Sequence, residues 1–201
     1  MTYTVVLPSI YQPWTDACLA NCKLENVLVI DNTVDNIGVA ASWNKGIEKM
    51  YRDNTDWLII LSASIRFGER GGIDFAESLT GNSIAIEAGM GMGWHLIAFG
   101  KRVFDNVGTF DENFYPAYFE DIDFSHRIKR VYQLEPPYWK KVTVDVSLAG
   151  WGHGVELGRA DPRTEENKDY MLRKWGHLTG TEMYDHPFND KTKDIKYWEK
   201  P

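Results

Sequence analysis

"VLVIDNTVDNIGVAASWNKGIEKMYRDNTDWLIILSAS", residues 27–64, contains two short apolar runs separated by an amphipathic one. Val27 to Asn32 is β-branched and apolar, ends in two polar residues, and reads as a buried-type strand. From Asn36, Val39, Ala40, Trp43, Ile47 and Met50 recur at helical spacing. "WLIILSAS" is again a strand, ending in small polar residues. Upstream, "TYTVVLP" (residues 2–8) is a further strand, closed by Pro8, with room for a helix before Val27. Strand, helix, strand, helix, strand at this spacing predicts an α/β fold, Rossmann-like, with a mostly parallel central sheet flanked by helices. Ligands of such sheets bind beyond the carboxyl ends of the strands. Those ends are Pro8-Ser9, Asp31-Asn32 and Ser62-Ala63-Ser64.

Beyond Gly81 the pattern changes. "SIAIEAG" and "HLIAFGKRVF" read as strands separated by "GMGMGW", whose glycines allow close approach of a ligand. The loop lacks the three-glycine spacing of a dinucleotide fingerprint. "DIDFSHRIKRVY" reads as a short helix, "KVTVDVSLAG" as a late strand, and "TEENKDYMLRKWG" as a helix closed by Gly176. The tail from Thr179 is polar, aromatic and irregular in pattern. No repeat or linker interrupts the chain.

With 201 residues there is material for one well-buried core. A net charge of -7 offers no basic face for phosphates and argues against general nucleic-acid binding. Cys18 and Cys22 stand four apart on an expected helix with no second pair at zinc-site spacing, so they read as two unpaired thiols. No segment reads as a signal peptide or a membrane span, and the expected location is cytoplasmic. Eight Trp and ten Tyr are many for this length. Aromatics in excess fill cores or line sites for flat and sugar-like ligands.

"FYPAYFEDIDFSHRIKR" (Phe114 to Arg130) sets Glu120, Asp121 and Asp123 within four residues, among aromatics. One reading is a helix start whose acids interact favourably with the helix dipole. The other is a reacting site from which aromatics exclude water.

Three segments together resemble the family-2 glycosyltransferases, which have the GT-A fold. "NIGVAASWNKGI" (Asn36 to Ile47) is similar to the family's Asn-x-Gly-x-Ala-x-x-x-Asn-x-Gly-Ile stretch. "VGTFDENFYPAYFEDIDFSHR" (Val107 to Arg127) resembles a Gly-Phe-Asp-Glu turn leading to a Glu-Asp pair and a helix ending in Arg. "YMLRKWG" resembles a Lys-Trp-Gly helix end. The resemblance implies one GT-A domain over residues 1–201. Its nucleotide-binding half runs to about residue 90, and the acceptor-binding and catalytic half follows.

The implied activity is transfer of a sugar from a nucleotide-diphosphate sugar to an acceptor hydroxyl, with inversion. The hydroxyl is a poor nucleophile until a base takes its proton. The family's base falls on Asp121, with Glu120 holding an acceptor hydroxyl or orienting the loop; Asp123 falls inside the helix. Asp31 is placed at the nucleotide base or ribose, with Pro8 and Ser9 on the opposite wall. Asn32, Asn36, Gly38, Ser62 and Ser64 complete the nucleotide set. Structural readings stand beside these: Asp31-Asn32 as a turn, Asn36 as a helix cap, Gly38 and Gly46 as close-packing glycines. Gly93, Trp94 and Trp151 would line the sugar or acceptor cleft, with a core position as the alternative for Trp94.

The family usually holds a divalent ion, Mn²⁺ or Mg²⁺, with an Asp-x-Asp type motif after the third strand. Ser62-Ala63-Ser64 stands there instead, and neutral hydroxyls are poor ligands for a hard cation. His153, in "WGHG", falls where some members have a His on the metal or diphosphate; the alternative is an exposed loop residue. The missing acids also allow a degenerate GT-A domain that binds nucleotide or glycan without turnover. A sugar nucleotidyltransferase would need a glycine-rich basic loop after the first strand, and "PSIYQPWTD" is neither.

Overall fold

The computed structural model describes residues 1–81, 84–88, 94–132, 139–149, 163–176 and 178. Strands β1 (Tyr3–Ser9), β2 (Val27–Asp31) and β3 (Trp57–Leu61) alternate with helices α1 (Gln12–Leu19) and α2 (Val39–Asp53). Then come β4 (Ile65–Phe67), α3 (Ile73–Ser78), β5 (Ile84–Glu87), β6 (Leu96–Gly100), α4 (Lys101–Val107), α5 (Glu120–Tyr132), β7 (Trp139–Val142) and β8 (Val146–Leu148). The helix Thr164–Trp175, here α6, ends the described elements.

Six strands form the central sheet in the order β2-β1-β3-β6-β5-β7. β1 pairs parallel with β2 and β3, and β5 with β7; only β6 runs against its neighbours. The mostly parallel sheet expected from the sequence is therefore present, with strands drawn from both halves of the chain.

Alternation along the inner strands buries both faces. Val5, Leu7, Trp57, Ile59 and Leu61 join Cys18 of α1 and Phe75 of α3 in one core. Val6, Leu58 and Ile60 join Trp43, Ile47 and Met50 of α2 with Phe104 of α4 and Phe124 of α5 in the other. Helices thus cover both faces. At the α2–β1 contact a Cβ on Gly46 would lie 2.6 Å from Val6 Cβ, so close packing needs the glycine.

Several expectations change. β1 runs on to Ser9, with Pro8 inside it opposite Ile30. β2 is an edge strand with Val29 36% exposed, not a buried one, because nothing among the described residues pairs with its outer side. The "HLIAFGKRVF" run turns from β6 directly into α4 after Gly100. "KVTVDVSLAG" splits: β7 ends at Val142, and β8 leaves the sheet to pair with β4. Helix α1 stops at Leu19, so Cys22 lies past its end. Both thiols are buried and form no disulfide, and Cys18 Sγ donates to Ser62 O at 3.6 Å. Burial, aided by Cys22, pushes the Cys18 thiol up to about 12, and burial raises Cys22 as well, which disfavours the reactive thiolate in both.

Candidate active site

Because β1, β2 and β3 are parallel, their carboxyl ends lie on one edge of the sheet. Register pairs Ser9 with Asp31, and the Asn32 N–H donates to Ser9 O at 2.7 Å. Here the side chains differ in availability. Ser9 is fully buried, its Oγ accepting from Thr15 Oγ1 at 2.6 Å. Asn32 is buried too, donating to Ser42 Oγ (2.9 Å) and accepting from the Ile37 N–H (3.1 Å). These two shape the floor. Asp31 is exposed, and its Oδ1 accepts from Thr33 Oγ1 (2.6 Å) and the Thr33 N–H (2.9 Å). The Thr33 hydroxyl bond, then the amide bond, hold its carboxyl below the ordinary range.

The β2–α2 connection turns at Gly38, whose φ is +86°. A Cβ there would lie 2.9 Å from Tyr115 Cδ2. Asn36 Oδ1 accepts from the Gly38 N–H at 2.9 Å, a turn before the helix rather than a cap on it. The Val39 N–H, first of α2, donates to Pro116 O (2.8 Å), and Tyr115 Oη donates to Asn36 O (2.9 Å). The loop leading to Glu120 is therefore fastened directly to the strand-end connection.

At the start of α5 three acids share a first turn, where the helix dipole favours negative charge. Their surroundings separate them. Asp123 is fully buried: Arg127 Nε meets Oδ2 at 3.0 Å, Lys174 Nζ meets Oδ1 at 2.9 Å, and Trp175 Nε1 donates to Oδ1 at 2.7 Å. It is a structural anchor. Lys174 also pairs with Asp111 at 2.5 Å, which in turn accepts from Tyr170 Oη at 2.7 Å. Arg127 donates to Thr109 O at 2.6 Å. The "TFDE" turn, the "EDIDF" helix and the "KWG" helix end meet in one buried ion network. Sequence reasoning missed Asp111 and Lys174, whose pairing is tertiary; the i,i+4 spacing of Asp123 and Arg127 was the available local signal.

Among the described residues, Glu120 and Asp121 take no part in that network. Glu120 is 6% exposed, and its buried Oε2 has no hydrogen-bond partner among the described residues. Burial, then the neighbouring Asp121 charge, push its carboxyl well above the usual range, against two backbone amide bonds. Asp121 is half-buried, and its Oδ1 accepts from the Ile122 N–H at 2.8 Å. Burial raises its carboxyl too. Two adjacent carboxyls whose burial favours the protonated form have the character of groups used in general acid–base chemistry.

Trp94 corrects an expectation. It is 9% exposed, stacked on Trp43 at 6.0 Å and edged by Phe99, Phe110, Phe124 and Trp139. Ringed by protein aromatics among the described residues, it takes the core position that is its alternative reading. Gly93, Trp151 and His153 lie outside the described residues.

After β3, Ser62 Oγ and Ser64 Oγ bond each other at 2.7 Å, and the Ala149 N–H donates to Ser64 O at 2.8 Å. Arg66 turns back onto Ala63 O and Ile65 O at 2.8 and 2.7 Å. Paired neutral hydroxyls do not fit a carboxylate-held divalent ion. No cluster of three His, Cys, Asp or Glu suited to a metal occurs among the described residues.

No family model matches the sequence, and no curated protein matches it. Solved structures do match. The catalytic domain of Drosophila β1,4-galactosyltransferase 7, in complex with xylobiose, superposes with TM-score 0.56 at 16% identity, over 89% of this chain and 82% of that one. A mutant of the same enzyme with manganese, UDP-Gal and xylobiose gives 0.56 at 15% identity, over 90% and 83%. The mannosyltransferase PcManGT from Pyrobaculum calidifontis, with GDP-Man and Mn²⁺, gives 0.50 at 13% identity, over 71% of this chain. The chain spans 55% of that mannosyltransferase. The fold is the GT-A glycosyltransferase fold. At such identities the likeness is one of architecture, and the GT-A expectation stands on it. No helix among the described residues is long and apolar enough to cross a membrane.

Proposed function

We propose that this chain is a glycosyltransferase moving a hexosyl group from a nucleotide-diphosphate sugar to an acceptor hydroxyl, with inversion and with Asp121 as general base. One observation carries the reading. The loop leading to Glu120 and Asp121 is tied to the β2–α2 connection by the Val39–Pro116 and Tyr115–Asn36 bonds, which supports a place for the acids beside the carboxyl ends of the parallel strands, where ligands of such sheets bind.

The nucleotide lies over the ends of β1, β2 and β3, along Pro8, Ser9, Asp31, Asn32, Asn36, Gly38 and the Ser62–Ser64 turn. Asp31 contributes the free carboxylate edge for a base or ribose. The acceptor oxygen attacks the anomeric carbon as its bond to the diphosphate breaks, and Asp121 takes the hydroxyl proton. Its raised affinity for a proton suits it to that step better than an ordinary Asp. Burial and the neighbouring Asp121 charge favour the protonated form of Glu120, and that form can donate a hydrogen bond to a substrate oxygen. The first half of the chain then serves the nucleotide and the second half the acceptor. No step is routed through a metal ion.

The test is a screen of UDP- and GDP-linked sugars, with and without Mn²⁺ or Mg²⁺, for nucleotide release and for binding by calorimetry. Release that depends on an added acceptor is expected. Binding without release under every condition is the behaviour of a binding module. Absence of binding and release alike sets the reading aside.

A further inference from the structure

Tyr118 and Phe119, consecutive and not glycine, take left-handed backbone angles, φ +78° and +73°. A side chain in that region costs energy that glycine avoids, so each of the two needs a reason to be there. Phe119 has one, since it packs against the cluster of Phe114, Tyr170, Met171 and Trp175. Tyr118 is 42% exposed and belongs to none of the three core clusters.

Its backbone is nevertheless held. Asn167 of α6 is 1% exposed, and its Nδ2 donates to Ala117 O at 2.8 Å and to Tyr118 O at 3.3 Å. An exposed aromatic residue on a held backbone thus stands two residues before Glu120, whose buried Oε2 has no partner among the described residues. Ile122, on the other side of the acid pair in sequence, is 37% exposed. Trp94, the aromatic expected for this task, is spent in the core.

We infer that the Tyr118 ring is the platform for a pyranose acceptor. The inference deepens the glycosyl-transfer reading and rests on it. A sugar ring presents an apolar C–H face to an aromatic and keeps its hydroxyls at the edge, where Glu120 and Asp121 stand next in the chain. A tyrosine with few rotatable bonds, on a clamped backbone, offers that face at low entropic cost.

The experiment compares Tyr118→Phe, Tyr118→Leu and Tyr118→Gly with the wild type. The donor is the nucleotide sugar that the screen finds to be turned over. Methyl pyranosides serve as ring acceptors, and glycerol as an acceptor without a ring face. Leu and Gly should raise the KM for the preferred pyranoside roughly 10-fold, the size of a lost aromatic contact, with a smaller effect on kcat. Phe should stay within about 3-fold, because it keeps the ring. Tyr118→Gly should melt no lower than the wild type, since glycine relieves the left-handed strain. An unchanged pyranoside KM in Leu and Gly overturns the inference alone, as does a wild type that prefers glycerol. A Tyr118→Gly variant that melts several degrees lower assigns the ring to packing and also overturns it. A wild type with neither nucleotide binding nor transfer overturns the underlying reading and this inference with it.

Discussion

Asn44 and Phe110, 66 residues apart in sequence, satisfy each other's polar groups: Asn44 Nδ2 donates to Phe110 O at 3.0 Å, and the Phe110 N–H donates to Asn44 Oδ1 at 2.9 Å. A side-chain amide here replaces a strand neighbour for a loop residue. Nδ2 also donates to Glu112 Oε1 at 2.8 Å. The contact joins α2 to the turn that leads into the acid-bearing loop. Asn44→Ala should strand both backbone groups of Phe110 in the core and cost about 2–4 kcal/mol. Chemical denaturation should show a lowered midpoint at unchanged slope.

Lys174 lies between Asp111 and Asp123, and replacing it with methionine leaves two buried carboxylates short of their cation. Such a break costs about 3–5 kcal/mol. Burial opposes ionisation of Asp111, but Lys174 and the hydrogen bonds around it hold the carboxyl below its ordinary value. Its stabilising contribution is present above the ordinary Asp value near 3.9 and is lost as pH falls through the lower folded value. Burial likewise disfavours the Lys174 ammonium, yet Asp123 and Asp111 raise it overall. That contribution is present below the ordinary Lys value and is lost only as pH rises through the folded one. Thermal melts of Lys174→Met should therefore show the largest deficit near neutrality, shrinking toward pH ~4 as the orphaned acids take up protons.

The parallel part of the sheet was legible because Val5 to Leu7, Val27 to Ile30 and Trp57 to Leu61 are short β-rich runs separated by a helical period. The direction of β6 was not. Leu96 to Gly100 is apolar throughout, and an apolar run carries no sign for parallel or antiparallel pairing. The same limit hid the role of Trp94: a tryptophan beside a glycine loop reads alike whether its ring meets sugar or Trp43. Among the acids, sequence could place Asp123 one turn into the helix. Its burial comes from Lys174 and Trp175, which approach from a helix some fifty residues on. The tie between Gly38 and Tyr115 was illegible for the same reason. Local chemistry names the element, and only packing names the neighbour.

Glu120→Gln should stabilise the protein while impairing its chemistry. Burial and the adjacent Asp121 raise the folded-state affinity of Glu120 for a proton. Ionising it costs folding energy once pH climbs past the ordinary Glu value near 4.3, and the cost grows until pH passes the raised folded value. Glutamine is neutral throughout. A gain of about 1 kcal/mol at pH 7 is expected, within the usual range for relieving a strained functional group. Melting curves should converge below pH ~4, where glutamate is protonated in both states. A variant less stable than the wild type at pH 7 would show that the buried carboxyl has a structural partner.

Asp121→Asn separates catalysis from capping on one substitution. Asparagine keeps the Oδ1 that accepts from the Ile122 N–H, and it serves a helix start about as well as aspartate. If Asp121 only begins α5, stability and turnover both stay near wild type. If it takes the acceptor proton, turnover falls ~10²–10⁴-fold while nucleotide affinity persists, because asparagine cannot accept a proton. The pH profile gives a second reading of the same group. Burial raises the Asp121 carboxyl, so the acid limb of the wild-type rate should rise with pH at a value above the ordinary Asp figure near 3.9. That limb should vanish in the variant, which lacks the Asp121 carboxylate. Full transfer by Asp121→Asn, with the acid limb intact, would remove Asp121 from the chemistry and leave Glu120 as the group to test.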